Sequence, residues 1–119
     1  FNHDALFMYK TVYLCEGAIN ALTMGEKGIA TMGKSVSRYQ INEIIKSPVE
    51  HIIILLDHDA QDKAVDLAMK LVNFKKVKVI LFPDDRDVND LGKKRVMKMI
   101  YATHYQNYQE LVRIKNNLS

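Results

Sequence analysis

The residues able to do chemistry in this chain are mostly carboxylates, and they are clustered. Of fourteen acids, eight fall in two short windows: Asp57, Asp59, Asp62 and Asp66, then Asp84, Asp85, Asp87 and Asp90. Glu16 stands apart, directly after "TVYLC" and before Gly17. Lys93, Lys94, Arg95 and Lys98 follow the second window at once. Carboxylates are the hard oxygen donors that magnesium selects. An acidic pocket with a basic flank suits metal-assisted chemistry on polyphosphate or nucleic acid. The basic run alone fits a solvated helix face equally well.

A second stretch, "GIATMGKS" from Gly28 to Ser35, satisfies G-x-x-x-x-G-K-[ST], the phosphate loop of nucleotide hydrolases. A phosphate loop needs a strand before its first glycine and a helix opening at the Lys-Ser. Here "INALTMGEK" before Gly28 reads as a helix with a polar end, and Ile29, Ala30, Thr31 and Met32 themselves read as a strand. The hydrolase reading is therefore rejected. Gly28 is read as a turn residue closing the preceding helix, Gly33 as a turn after the strand, and Lys34 as a cation near the strand tips.

The elements that must position these groups alternate. "TVYLC", "GIATM", "HIIILL" and "VKVILF" read as strands, the third as a continuous apolar run typical of a central parallel strand. Between them, "AINALTM", "RYQINEIIK" and "DKAVDLAMKLV" carry apolar residues at helical spacing, with Ser37 and Gln40 forming a capping box before the second. Two helices follow, about 93–103 and 105–115. Tyr101, Tyr105 and Tyr108 recur at helical spacing and are read as a stripe packing these helices onto the rest, the other reading being stacking on bases. The pattern predicts an α/β fold: a three-layer, Rossmann-like arrangement with a mainly parallel sheet of about four strands.

Composition sets the bounds. At 119 residues the chain is expected to be a single domain, with a core over about 11–92 and C-terminal helices over about 93–116. Hydrophobic residues at 48% and charged ones at 26% exclude a disordered chain. No apolar run approaches a membrane span, and one cysteine, Cys15, excludes an internal disulfide or a multi-cysteine zinc site. A cytoplasmic setting is expected. The start at Phe1 suggests a piece of a longer protein.

In an open parallel sheet the loops at the carboxyl ends of the strands gather in one crevice, where ligands bind. Glu16 follows the first strand, Asp57 and Asp59 the third, Asp87 and Asn89 the fourth. Asp57 and Asp59, two residues apart, can point one way as a strand ends, with Glu16 completing a magnesium site if the first and third strands are neighbours. Each has a plainer reading: Asp59 as a cap of the helix at Ala60, "PDDRDVND" as an ordinary Pro/Asp/Asn turn, His58 as an exposed loop residue. Gly17 suits a sharp turn or a phosphate approaching closely.

Together, "VYLCEGAINAL", "GIATMGKSVS", "IIILLDHDA" and "VILFPDDRDVNDL" resemble the Toprim domain, in the version carried by DnaG-type primases and primase-helicases of bacteria and phages. The resemblance covers about residues 11–92. It implies that Glu16 is a general acid/base or metal-associated group. It also implies that Asp57 and Asp59 bind Mg2+, with Mn2+ as a substitute, and that the later acidic pair falls on Asp87 and Asn89. The implied activity is nucleotidyl transfer that builds an RNA primer from nucleoside triphosphates on a DNA template during replication. A replicative helicase is an expected partner, and Lys34, Lys93, Lys94 and Arg95 are the expected phosphate or nucleic-acid contacts.

There are departures. Asn89 stands where many primases have a second aspartate, and Asn20 where an aspartate is common. His58 separates the central aspartates, and the glycine often found after this motif is missing. Toprim topoisomerases and Old-type nucleases differ more in their central or final block. A Toprim nuclease and a non-catalytic nucleic-acid or partner-binding module remain alternatives. A phosphatase is disfavoured by Gln61, which stands where that pattern wants a small hydroxyl residue. A receiver domain is disfavoured because it leaves Glu16 without a role. Ten residues before the first strand leave no room for a template-gripping subdomain, so little primer synthesis is expected from this chain alone.

Overall fold

The structure, a computed structural model, describes residues 2–31 and 36–118. Its elements are α1 (Ala5–Met8), β1 (Thr11–Cys15), α2 (Ala18–Met24), β2 (Gly28–Ala30), α3 (Arg38–Lys46), β3 (His51–Leu55), a 3-10 turn at His58–Ala60, α4 (Gln61–Leu71), β4 (Lys76–Val79), α5 (Val88–Leu91), α6 (Lys93–Ala102) and α7 (Tyr108–Leu118). The strands form one parallel sheet in the order β2-β1-β3-β4. The chain leaves β1 to one side for β2 and returns to the other for β3. The crevice where the order reverses therefore lies at the tips of β1 and β3.

Period-two alternation divides the strand side chains between two cores. Val12 and Leu14, Ile52 and Ile54, and Val77 and Val79 join residues of α3, α4 and α7 in one buried cluster. Tyr13 and Cys15, Ile53 and Leu55 face the other way, into a cluster with residues of α2, α5 and α6. These are the three layers expected. A buried, apolar β3 lies between β1 and β4, in register Val12↔Ile52↔Val77.

Several boundaries differ from the sequence reading, each for a local reason. The helix expected to begin at 105 begins at Tyr108. Asn107 Oδ1 accepts from the Glu110 N–H at 2.8 Å, while Glu110 Oε1 accepts from the Asn107 N–H at 3.1 Å, a reciprocal cap. The residue before it, Gln106, completes the β4 edge. Its N–H donates to the Val77 carbonyl (3.1 Å), and its side chain accepts from the Val79 N–H (2.7 Å). An exposed strand edge is thereby closed. The short helix α5 falls within "PDDRDVND", where the sequence suggests a turn, and α1 precedes the first expected strand.

Gly28 does not close α2. Gly25 does, at φ +89°, and Gly28 opens β2 so close to α2 that a Cβ there would lie 2.1 Å from the Ala21 carbonyl oxygen. With a helix before Gly28 and a strand through Ala30, no phosphate-loop geometry surrounds the described part of "GIATMGKS". Gly33 and Lys34 lie outside the described residues. Among the described residues no helix is long and apolar enough to cross a membrane.

Candidate metal centre

β1 and β3 are paired in register, Cys15 beside Leu55, so the residues leaving their tips meet. Glu16 follows β1 directly, and Asp57 and Asp59 follow β3, Asp59 within the 3-10 turn. Each offers a carboxylate oxygen, and the three atoms lie within 4.8 Å of one another. Glu16 Oε2 is buried with no hydrogen-bond partner among the described residues. Burial first, then the charges of Glu16, Asp87 and Asp59, push the Asp57 carboxyl up to about 6. Convergent negative charge with an orphaned buried oxygen is what a hard divalent cation satisfies, so the donor set fits magnesium or manganese. Cys15, buried below, is pushed up to about 12 by burial and by Asp57, so its thiol stays protonated and is no nucleophile.

The surroundings hold these groups in place. Asn20, buried in the first turn of α2, donates from Nδ2 to Asp57 Oδ1 at 3.4 Å. Its Oδ1 accepts the Asn89 N–H at 3.1 Å. One amide thus ties α2, the β3 tip and α5 together, and an aspartate here could not donate to Asp57. Sequence reasoning marked Asn20 only as a departure. The available signal was its place four residues after Glu16, at the start of a helix leaving the strand tips.

His58 is exposed, as expected, but anchored. Its Nδ1 lies 2.7 Å from the Phe82 carbonyl, which also accepts from Gln61 Nε2 at 2.8 Å. A carbonyl only accepts, so His58 Nδ1 is the donor in this contact.

Asp87 is not among the three converging oxygens. It caps α5, its Oδ1 accepting the Asp90 N–H at 2.9 Å, while still near enough to raise Asp57. The Asn89 side chain turns to α2, accepting from Thr23 Oγ1 at 3.3 Å. The chain does bend at Glu16–Gly17, but Gly17 is in extended backbone at φ −118° and a Cβ would meet nothing within 4 Å, so neither conformation nor space demands glycine there. A cavity of about 130 Å3 opens beside Glu16, with Lys63 and Lys70 of α4 on its wall. That pair, two turns apart on one helix, went unread. Lys93, Lys94 and Arg95 are exposed in the first turn of α6. Lys93 lies beside Gly25, since a Cβ built there would sit 3.4 Å from Lys93 Nζ. That is the end of α2 far from Glu16, so the Lys93 ammonium points away from the three converging carboxylates.

A doubly wound parallel sheet with carboxylates converging at its switch point defines the class of protein. The Toprim-like family matches residues 13–92, well over half the chain, and the chain belongs to it. The fold is similar to that of a DnaG primase catalytic domain bound to single-stranded DNA, at TM-score 0.68 and 15% identity over 87% of this chain. It is similar also to the E. coli primase catalytic core, at TM-score 0.67 and 14% identity over 87% of this chain. The chain spans 37% of the length of either structure. No curated protein matches it.

Proposed function

We propose that this chain is the catalytic Toprim domain of a DNA primase-like protein, carrying out magnesium-dependent nucleotidyl transfer that makes RNA primers on a DNA template. The observation that carries the proposal is the meeting of Glu16, Asp57 and Asp59 within 4.8 Å at the tips of two adjacent strands. These residues would hold the divalent cation, with Asp87 behind them. When bound, such a cation neutralises polyphosphate charge and lowers the pKa of an attacking hydroxyl. Asn20 keeps Asp57 oriented through its amide. Glu16 Oε2, buried and without a hydrogen-bond partner among the described residues, is the atom best placed to contact the cation. Lys63 and Lys70 beside Glu16 supply positive charge to a triphosphate, as do Lys34, Lys93, Lys94 and Arg95 to a nucleic-acid backbone. Nucleoside triphosphates, template DNA and a replicative helicase are the proposed partners, in the cytoplasm.

One feature favours a second reading, a Toprim nuclease or a binding module. Asp87 and Asn89 are engaged in capping α5 and in contact with α2, which leaves fewer groups for a second cation. The test is incorporation of labelled ribonucleotides on single-stranded DNA with magnesium or manganese, beside a nicking assay on the same DNA. Metal-dependent synthesis, lost in Asp57→Asn with Asp59→Asn, is expected, at a low level from these 119 residues alone. Cleavage without synthesis identifies the nuclease, and neither activity identifies the binding module.

A further inference from the structure

The two faces of the sheet are covered unequally. On the side of α3, α4 and α7 every strand residue is buried down to Val12, Ile52 and Val77. On the other side the registers place two rows across β1, β3 and β4: Thr11, His51 and Lys76, then Tyr13, Ile53 and Lys78. A parallel sheet is normally covered by apolar layers on both faces. The "KVKV" of β4 departs from this: Lys76 and Lys78 lie on that side, Lys76 exposed and Lys78 half-buried, with one Lys78 Nζ proton donated to the Ile100 carbonyl of α6 at 3.1 Å and the others left for a ligand.

Aromatic rings gather over those rows. The Tyr105 ring lies 5.2 Å from that of His51, with Lys78 Nζ 4.6 Å and Lys76 Nζ 5.9 Å from its centroid, yet it stays 39% exposed. Tyr101 on α6 is 77% exposed. The stripe expected to pack the last helices is therefore absent: Tyr105 precedes α7, and these rings face out. Tyr101 also lines a groove of about 540 Å3 with Tyr13, Lys27 and Lys93. Glu26, on the same groove, accepts a hydrogen bond from Tyr9 Oη at 2.9 Å.

We propose that this shelf, at the opposite end of the strands from the carboxylates, binds single-stranded nucleic acid. Bases stack on Tyr101 and Tyr105, while Lys76, Lys78 and Lys93 contact phosphates. Cations and exposed rings together are complementary to a polyanion whose bases are unpaired, and base–aromatic stacking needs no sequence. His51 and Asp57 are six residues apart, roughly 20 Å at strand rise, so the shelf and the metal centre are separate surfaces. The choice of a polynucleotide as occupant rests on the function proposed above; the shelf itself does not.

The test is fluorescence anisotropy of a labelled oligothymidylate with this chain, in EDTA and without nucleotide, against salt concentration. The metal reading does not enter under these conditions, so its failure and that of the shelf are distinguishable. Tyr105→Ala is expected to weaken binding roughly fivefold or more, with Tyr105→Phe retaining it. Lys76→Ala with Lys78→Ala is expected to reduce the slope of log affinity against log salt by about 1.4. Thermal unfolding of each variant separates lost binding from lost folding, above all for Lys78→Ala, which also removes the hydrogen bond to the Ile100 carbonyl; Lys76→Ala alone, at an exposed position, should still lower the salt slope. Absence of binding by wild type at low salt, or variants that bind with wild-type affinity and slope, would overturn the proposal.

Discussion

Asp57 carries a cost in the metal-free protein. Its folded-state pKa, about 6, lies above its ordinary 3.8, so the folded state holds the proton more tightly than the unfolded chain does. The resulting penalty is absent below about 3.8, grows as pH rises, and is fully present above 6. Asp57→Asn removes it. In chelator at pH 7.5 the variant should resist denaturant better than wild type, by about 1 kcal/mol after allowance for solvent screening of a half-buried group. The difference should vanish as pH falls towards 4. Urea melts at several pH values check this, and a variant less stable than wild type at pH 7.5 would contradict it. Divalent metal should reverse the order, because it binds the deprotonated carboxylate.

At the scale of elements, the strands and the longer helices were legible, and the short or tertiary features were not. β1, α2 and α3 fall on the expected residues, because apolar periodicity and the Ser37–Gln40 box are local signals. α5 was hidden by its composition. "PDDRDVND" has the residues of a turn, although Asp87 and Asp90 do form a capping box, a pattern visible at that spacing. The late start of α7 depends on Gln106 pairing with β4, a contact 27 residues away. Gly28 was placed but misread: what demands glycine there is the approach of α2, not a turn. Gly28→Ala should therefore lower stability by about 3 kcal/mol, at the upper end of overpacking, since the atom it meets is backbone. Equilibrium unfolding measures this, and a loss under about 1 kcal/mol would show that α2 and β2 separate easily.

For the whole molecule, what the sequence left open was which strands are neighbours. Strand order of occurrence puts Glu16 and Asp57 some forty residues apart, and only the β2-β1-β3-β4 order makes them adjacent. The acids were readable as three loops, and their convergence follows from the crossover. Charge was less readable. The cluster at Lys93 to Arg95 follows the acidic loop in sequence, yet Lys93 sits at the far end of α2. The molecule thus carries an acidic pole at the strand tips and a basic, aromatic surface at the opposite end.

The most direct test of the central claim is a manganese titration of this chain followed by paramagnetic broadening of its NMR signals, for wild type beside Asp57→Asn with Asp59→Asn. The account predicts broadening confined to the tips of β1 and β3, around Glu16, Asp57 and Asp59, and its loss in the double variant. Broadening centred elsewhere, or the same pattern in the double variant, would contradict a metal centre at the tips of β1 and β3.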